Sequence, residues 1–558
     1  MQHKNNQENP KDSHSHREKS SSLVGSAAAM AMGTLTSRVL GLLRDIAFAA
    51  LFSKTVTDAW TVAFRIPNLF RRLLGEGSLA VSFVPVFVET REGDPTGVRS
   101  RNLVNSFYTL LLLLLTLITV LGVAFAGPIV QLMTDPVYAE IPGKLELTIA
   151  MTRIMFVFIF LVSTYAFFMG ILNALGTFAL PAFGPALWNI CIIVGIFFPK
   201  EWQGFDGQAM AWSVVVGGVV QAGFLIPALI RRGYLPRWQW NWSNIDSQKV
   251  LKKMGPGILG TAVLQITTIV NSHFASSLGE GSNSYFYYAD RLLEFPLSIV
   301  SVSLGTALLP TLSTLWVQNQ KQEMIATANR FFRINLFIGL AAAAGLYFLA
   351  RPLVELMFER GRFDSHDSMI TAQILAVASL TLVVSSGVRV FVPSFYALGD
   401  TKYPAKISMI CVAIHFVLVS LLVDLYQFRG IAAATVLTAT INLALLFWGF
   451  RRKVGAFGFS QVLKSLGQFS VPLALMSVFL LQYPFFLDGF MAGFSLLMDS
   501  FPALKDHHVL LTLARLCAVG VSVIGGALIY LGVAQMMKIP EAEVFVSGVM
   551  RRLKRKKA

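Results

Sequence analysis

The chain has 558 residues, of which 55% are hydrophobic and only 14% charged, with a formal net charge of +16 and a mean hydropathy of +0.63. A soluble chain carries roughly 25% charged residues, so this one has too few to cover a water-facing surface, and an ordinary cytosolic enzyme is excluded. Its 44 Phe argue against disorder and its 3 Cys against a disulfide scaffold, which leaves a polytopic membrane protein whose few charges are mostly positive.

In chain order, residues 1–21 form a polar segment that reads as a disordered tail. It is not a cleaved signal, because the apolar run behind it is long and holds Arg38 and Arg44. A membrane helix needs about 20 mostly apolar residues. That ruler predicts an all-α polytopic membrane protein with about fourteen transmembrane helices. They fall near 22–52, 57–90, 101–127, 145–175, 178–199, 208–231, 254–279, 284–317, 325–349, 370–398, 404–426, 429–450, 465–487 and 509–536. Several are longer than a bilayer requires, which implies tilt or kinks. Pro67 and Pro85 fall in the second span, Pro181 and Pro185 in the fifth. The runs are continuous and not alternating, which argues against a β-barrel. Cys191, Cys411 and Cys517 each lie in an apolar run and read as buried, inert thiols.

Loop Lys and Arg mark the cytoplasmic side. With the N-terminus inside, that side collects Arg91, Arg99 and Arg101, then Arg231, Arg232, Arg237, Lys249, Lys252 and Lys253, and later Arg451, Arg452, Lys453 and Lys464. The segment 538–558 adds RRLKRKK as a basic cytoplasmic tail, which suits anionic headgroups better than nucleic acid. The opposite loops are poorer, with Lys54, Lys144, Lys200, Arg429 and Lys505. The exception is 351–367, where matched Arg, Glu and Asp residues suggest a short amphipathic helix on the outer surface. Both termini are therefore expected in the cytoplasm.

Two passages match at a nearly constant offset: AFRIPNLFRRLLGEGSLAVSFVPVF at 63–87 and ADRLLEFPLSIVSVSLGTALLPTLS at 289–313. NALGTFALP at 173–181 likewise lies over YALGDTKYP at 396–404. Duplication of a six-helix unit gives two pseudo-symmetric lobes, 22–232 and 250–453, with two extra C-terminal helices at 464–537. Two such lobes around an axis along the membrane normal suggest a cavity and alternating access by rocking, although duplicated bundles also serve as channels or scaffolds.

The informative residues are ionisable groups inside apolar spans, where a charge costs at least about 2.5–3.5 kcal/mol. Spans 1 and 2 hold Arg38, Arg44, Asp45, Asp58, Arg65, Arg71, Arg72 and Glu76; span 8 holds Asp290, Arg291 and Glu294. Taken singly, each reads as readily as structural, an ion pair or a rim residue, as it does as functional: Arg38 and Asp45 share a helix face, Arg72 and Glu76 stand at i,i+4, and Arg291 and Glu294 at i,i+3. Asp58 reads most simply as interfacial. Together they give six arginines, no lysine and five carboxylates. Arginine grips carboxylate or phosphate with a planar fork and keeps its charge when desolvated, so an arginine-lined cavity suits a phosphate or diphosphate anion.

Asn68, after Pro67, either caps a helix segment or binds ligand, and Gly75, Gly77 and Ser78 permit close packing or a break. Asp424 reads as interfacial, and His273 and His415 as packing residues on apolar faces. There is no P-loop, HExxH or nucleophile-elbow pattern, so neither ATP hydrolysis nor other hydrolytic chemistry is expected.

The stretches TSRVLGLLRD at 36–45, TDAWTVAFRIPNLFRRLLGEGSLAVSFVPVF at 57–87 and YYADRLLEFPLSIVSVSLGTALLPTLS at 287–313 resemble the MurJ (MviN) family of lipid II flippases, within the multidrug/oligosaccharidyl-lipid/polysaccharide exporter superfamily. The similarity runs over about residues 23–540. It implies fourteen helices in two lobes, with the last two forming a groove for a lipid tail. It implies a substrate, the undecaprenyl-diphosphate-linked disaccharide-pentapeptide (lipid II), moved from the cytoplasmic to the periplasmic leaflet of the bacterial inner membrane in peptidoglycan synthesis. By motif it assigns Arg38, Arg44, Arg71, Arg72 and Arg291 to the diphosphate. Asp58, Asn68, Glu76, Ser284, Asp290 and Glu294 match further polar positions that contact sugar or peptide, or orient the arginines. No enzyme activity and no cofactor are implied, and coupling is left open between membrane potential, Na+ and H+, since spans 7, 11 and 12 show no clear carboxylate pattern. Expected partners are lipid II, membrane lipids and other cell-wall synthesis proteins, with no nucleic acid. The rivals are a flippase for another prenyl-diphosphate glycan, an ion-coupled multidrug antiporter, and a non-transporting scaffold for cell-wall enzymes.

Overall fold

In a bilayer every backbone N–H and C=O must be satisfied within its own segment, and the apolar runs accordingly fold as helices. The computed structural model describes residues 10–73, 79–498 and 507–544. Among them no strand occurs, and the only pairing of strand type is an isolated bridge between Arg360 and Phe363. Nine helical segments among the described residues are long and apolar enough to cross a membrane. The chain divides into two units, Met1–Gln265 and Ile266–Ala558.

The first unit contains α1 (Pro10–Leu51), α2 (Lys54–Phe70), α3 (Leu79–Glu92), α4 (Val98–Ala124), α5 (Ala126–Met133), α6 (Val137–Glu140), α7 (Lys144–Ala174), α8 (Ala179–Ala182), α9 (Gly184–Ile196), α10 (Gln208–Gly223) and α11 (Ile226–Arg232). Helix α1 starts inside the segment expected to be a disordered tail; a proline is tolerated in the first turn, where its missing N–H has no intrahelical partner to lose. Helix α7 is the central post, with α2, α3, α4 and α10 packed around it. Its apolar stretch is 72% buried against 28% for α4, which turns Leu114, Leu117 and Val120 outward. The core is aromatic: Phe83 meets Phe167 edge-on at 4.8 Å, and both contact Phe107.

The second expected span contains two helices, α2 and α3, on either side of residues 74–78, which lie outside the described residues. Ser53 caps α2 by accepting from the Val56 N–H. The helix then passes Pro67, and residues 71–73 adopt a π turn before α3 begins beyond residue 78.

Helix α12 (Ile245–Ser276) crosses from the first unit into the second. The division thus falls within α12 and not in the 233–249 connection, because that connection is hydrogen-bonded to α4 of the first unit (Arg237 N–H to Asn105 Oδ1, 2.8 Å).

The second unit continues with α13 (Ser282–Val317), α14 (Lys321–Phe348), α15 (Ala350–Phe358), α16 (Ser365–Ser379), α17 (Thr381–Ala397), α18 (Lys402–Lys453), α19 (Phe459–Leu480), α20 (Tyr483–Met498) and α21 (His507–Met536). Helix α18 is two helices that meet at Gln427, whose φ of 49° breaks the spiral. The turn is so tight that a Cβ on Gly430 would stand 2.1 Å from the Leu422 carbonyl oxygen, so only glycine fits there. The final helices are fixed to α14 and α15: Tyr530 donates to the Phe337 carbonyl at 2.8 Å, and Arg515 pairs with Glu359 at 2.9 Å and Glu355 at 3.3 Å. The amphipathic helix expected in 351–367 is α15, and much of its negative charge is met by Arg515 from α21.

Candidate functional site

Arg44 and Arg38 stand six residues apart on α1 and meet different surroundings. Arg38 is exposed. Arg44 is buried, 2% exposed, with each guanidinium nitrogen engaged. Its Nε and Nη2 donate to Asp45 Oδ1 at 2.9 and 2.7 Å, and its Nη1 donates to Asn189 Oδ1 at 2.9 Å. The indole of Trp188 lies 5.3 Å away under the guanidinium. Asn189 on α9 is oriented in turn, because its Nδ2 donates to the Ser37 carbonyl at 2.9 Å. This network joins α1 to α9 inside the first unit. The carboxylate of Asp45 is engaged by its neighbour Arg44, one residue away.

Asp58 is fully buried. It accepts from Lys144 Nζ at 2.8 Å, with both side chains 0% exposed. The ammonium also lies 4.3 Å from the centre of the Tyr138 ring, whose hydroxyl is 2.8 Å from Thr148 Oγ1. Lys144 opens α7, and the pair ties that central helix to α2. An ion pair is tolerated at such depth only when geometry and neighbouring polar groups offset the desolvation of both charges.

Asn68 accepts from Arg71 Nε at 3.0 Å, which aligns the first of the paired arginines along the end of α2. Arg71 and Arg72 are both half-buried in the π turn. Glu76, with Gly75, Gly77 and Ser78, lies outside the described residues.

In the second unit Arg291 is 32% exposed on α13. Its Nη1 donates to Glu294 Oε2 at 3.2 Å and its Nη2 to the Tyr287 hydroxyl at 2.9 Å, and Tyr287 also presents its ring face at 4.8 Å. Tyr287, Arg291 and Glu294 follow helical spacing, so this fork is arranged by α13 itself. Asp290 is exposed on the same helix, and Ser284 is buried near its start.

Several ionic and polar groups escaped the sequence reading. Lys144 looked like an outer-loop lysine because it begins a span. Asn189 carried no charge to draw attention. A further polar knot joins α12 and both halves of α18: buried His415 places Nε2 2.8 Å from Asn271 Oδ1 and Nδ1 3.0 Å from Thr438 Oγ1, while Asn271 donates to Thr435 at 3.2 Å. His415 is thus a hydrogen-bonded interior residue. Asp424, also on α18, is exposed. Cys411 is buried; Cys191 and Cys517 are half-buried, and all three are free thiols.

Comparison with known proteins places these features in a family. The family model described as "Lipid II flippase MurJ" matches residues 48–501. A "Probable lipid II flippase MurJ" from Bdellovibrio bacteriovorus is 47% identical over 461 residues, covering 83% of this chain and 88% of the relative. Among solved structures, a lipid II flippase MurJ in an inward closed conformation superposes with a TM-score of 0.71 at 23% identity, covering 93% of this chain and 99% of the other. An inward-facing multidrug resistance MATE family transporter of the MOP superfamily shares the fold at a TM-score of 0.63 and 16% identity, covering 75% of this chain and 95% of the other.

Proposed function

The chain belongs to the lipid II flippase MurJ family, and on that premise we infer that it moves lipid II, the undecaprenyl-diphosphate-linked peptidoglycan precursor, from the cytoplasmic to the periplasmic leaflet. The observation that carries this reading is the 47% identity to a MurJ relative across 83% of the chain. The protein is a multi-pass inner-membrane protein that works by alternating access, without covalent chemistry, and both of its termini lie in the cytoplasm.

The headgroup problem is electrostatic. A diphosphate cannot enter hydrocarbon unaided, and arginine forks replace its hydration with charge-assisted hydrogen bonds. The accessible arginines are the ligands in this proposal: Arg38, Arg71, Arg72 and Arg291. Arg44 has its nitrogens engaged by Asp45 and Asn189, so its role is to position α1. Asp58 likewise positions α2 through Lys144. Asn68 and Glu294 steer Arg71 and Arg291, while Ser284, Asp290 and Glu76 serve the sugar or peptide. A membrane potential that is negative inside favours outward movement of the anionic headgroup. For coupling by Na+ or H+, the polar knot around His415 and Asn271 is the place to look in α12 and α18.

The test is depletion of the native flippase in a bacterial host, followed by labelling of lipid II at the outer surface. Expression of this chain restores labelling if it is a lipid II flippase. A chain that restores export of a different prenyl-diphosphate glycan, or of cationic drugs, but not lipid II labelling would overturn the assignment.

A further inference from the structure

The connection between α11 and α12 carries the sequence RRGYLPRWQWNWSN, 231–244. Its three tryptophans are strongly exposed: Trp238 by 65%, Trp240 by 60% and Trp242 by 56%. Burying aromatic area is a major source of stability, so three bare indoles in five residues need a partner or a purpose.

Hydrogen bonds hold this segment to the first unit. It lies as a strap along the first turns of α4. The Arg237 N–H donates to Asn105 Oδ1 at 2.8 Å, and the Gln239 N–H to Thr109 Oγ1 at 3.0 Å. Asn244 returns to Ser106 at 3.4 Å, and Asp246 reaches back to Arg99 at 2.8 Å. The backbone at 237 and 239 is thus held against α4, while the side chains of Trp238, Trp240 and Trp242 stay exposed. Trp240 and Trp242 are braced edge to face, their ring centres 5.4 Å apart.

The helix beneath is built to receive the strap. Asn102, Asn105, Ser106 and Thr109 follow i, i+3, i+4, i+7 spacing and form one polar stripe on α4. Directly after Thr109 come six leucines, Leu110–Leu115. The highest hydrogen bond of the strap on α4, at Thr109, therefore coincides with the level where the six-leucine run begins. Such a change from polar to apolar along a membrane helix marks the membrane–water interface, where tryptophan concentrates because its ring is apolar and its N–H needs a polar neighbour. The charge agrees: between 231 and 245 there are Arg231, Arg232 and Arg237 and no carboxylate, and all three arginines are exposed.

We propose that the 237–242 strap is an interfacial anchor that seats Trp238, Trp240 and Trp242 among the headgroups of an anionic leaflet, with Arg231, Arg232 and Arg237 binding lipid phosphates. The occupant of this aromatic face is the lipid surface, argued from the position of the strap at the polar–apolar boundary of α4 and from its uniform positive charge. The anchor fixes the depth of the α11–α12 connection and is independent of which substrate the protein moves.

The test uses the full chain with Cys191, Cys411 and Cys517 replaced by alanine and a single Trp240→Cys substitution, labelled with an environment-sensitive fluorophore. Trp238→Cys is carried in parallel in case one variant fails to fold. The protein is reconstituted in phosphatidylcholine vesicles with and without phosphatidylglycerol. Quenching by lipids with a nitroxide near the headgroup should exceed quenching by deep-chain nitroxide lipids and by aqueous iodide. Adding phosphatidylglycerol should strengthen the shallow quenching, and Arg231→Gln, Arg232→Gln and Arg237→Gln together should abolish that response. Dominant iodide quenching places the strap in water and overturns the proposal. Protection from every quencher means a second copy or another protein covers the face, which overturns it equally. A response to phosphatidylglycerol that survives the triple arginine change removes the lipid-phosphate contacts from the proposal.

Discussion

The opening helices of the two units use the same residue types to different ends. In the first unit, Arg44–Asp45 and Asp58–Lys144 are sealed, with side chains 2% exposed or less. In the second, Arg291 and Glu294 are 32% and 47% exposed and are arranged by one helix. Buried pairs cannot be opened without stranding a charge, whereas a half-exposed pair exchanges partners at little cost. An intramembrane arginine is therefore not automatically a ligand. The sealed networks tie α1 to α9 and α2 to α7, and the half-exposed Arg291 fork is the one that the proposed function assigns to the diphosphate.

This contrast breaks most visibly at the deepest pair. Lys144→Ala leaves the Asp58 carboxylate buried and uncompensated, so unfolding stability should drop by about 3–5 kcal/mol. Thermal unfolding of the purified protein measures it. Replacing both partners, with Asp58→Leu and Lys144→Met, should recover much of the loss, because neither charge is then left behind. Unchanged melting of the single variant would show that the pair does not hold α2 to α7.

Next comes Asn189→Ala, which removes an acceptor from Arg44 and a donor from the Ser37 carbonyl. Losing a hydrogen bond to a charged group costs about 1.5–3 kcal/mol. Lipid II labelling should fall only as far as the amount of folded protein does. A complete loss of labelling at parental stability would move Arg44 into the group of ligands.

Arg291→Ala should show the reverse pattern. An exposed ion pair contributes roughly 0–1 kcal/mol, so stability stays near the parent while lipid II labelling is lost. Arg291→Lys should be intermediate, since an ammonium keeps the charge but not the two-point fork. Parental labelling by Arg291→Ala would erase the distinction between the two regions.

What sequence revealed follows the range of each interaction. The Arg291–Glu294 pair was legible because helical geometry alone brings i and i+3 together. The two spans at 404–426 and 429–450 were legible from hydropathy, although the absence of a loop between them depends on Gln427 and Gly430. The Asp58–Lys144 pair was missed because its partners are 86 residues apart, and Asn189 was overlooked because it meets Arg44 across 145 residues. Hydropathy reports depth and helical period reports face, but neither reports which distant side chain stands opposite. The same limit hid the purpose of Asn102, Asn105, Ser106 and Thr109. Their spacing marks a polar stripe, and only the fold shows a strap laid upon it.

The mildest case lies outside the membrane, where Arg99 and Asp246 pair at the foot of α4. The Arg99 guanidinium, donating to both carboxylate oxygens at 2.8 Å, holds Asp246 below the usual carboxylate range. A group whose pKa is depressed by folding adds stability above its unfolded value, about 3.9 for Asp, and that stability disappears as pH falls through the folded value. The pair should therefore support the protein fully at neutral pH and progressively less as pH falls below about 4. Because Arg99 is half exposed, solvent screens the interaction, and a shift of only about 1–2 °C in melting temperature is expected. Asp246→Asn should lower the melting temperature at pH 7 by that amount, and the difference should shrink as pH falls below about 4, so the two curves converge in acid. Curves that stay parallel would mean the carboxylate charge is immaterial, and that the strap returns to α4 through its other hydrogen bonds alone.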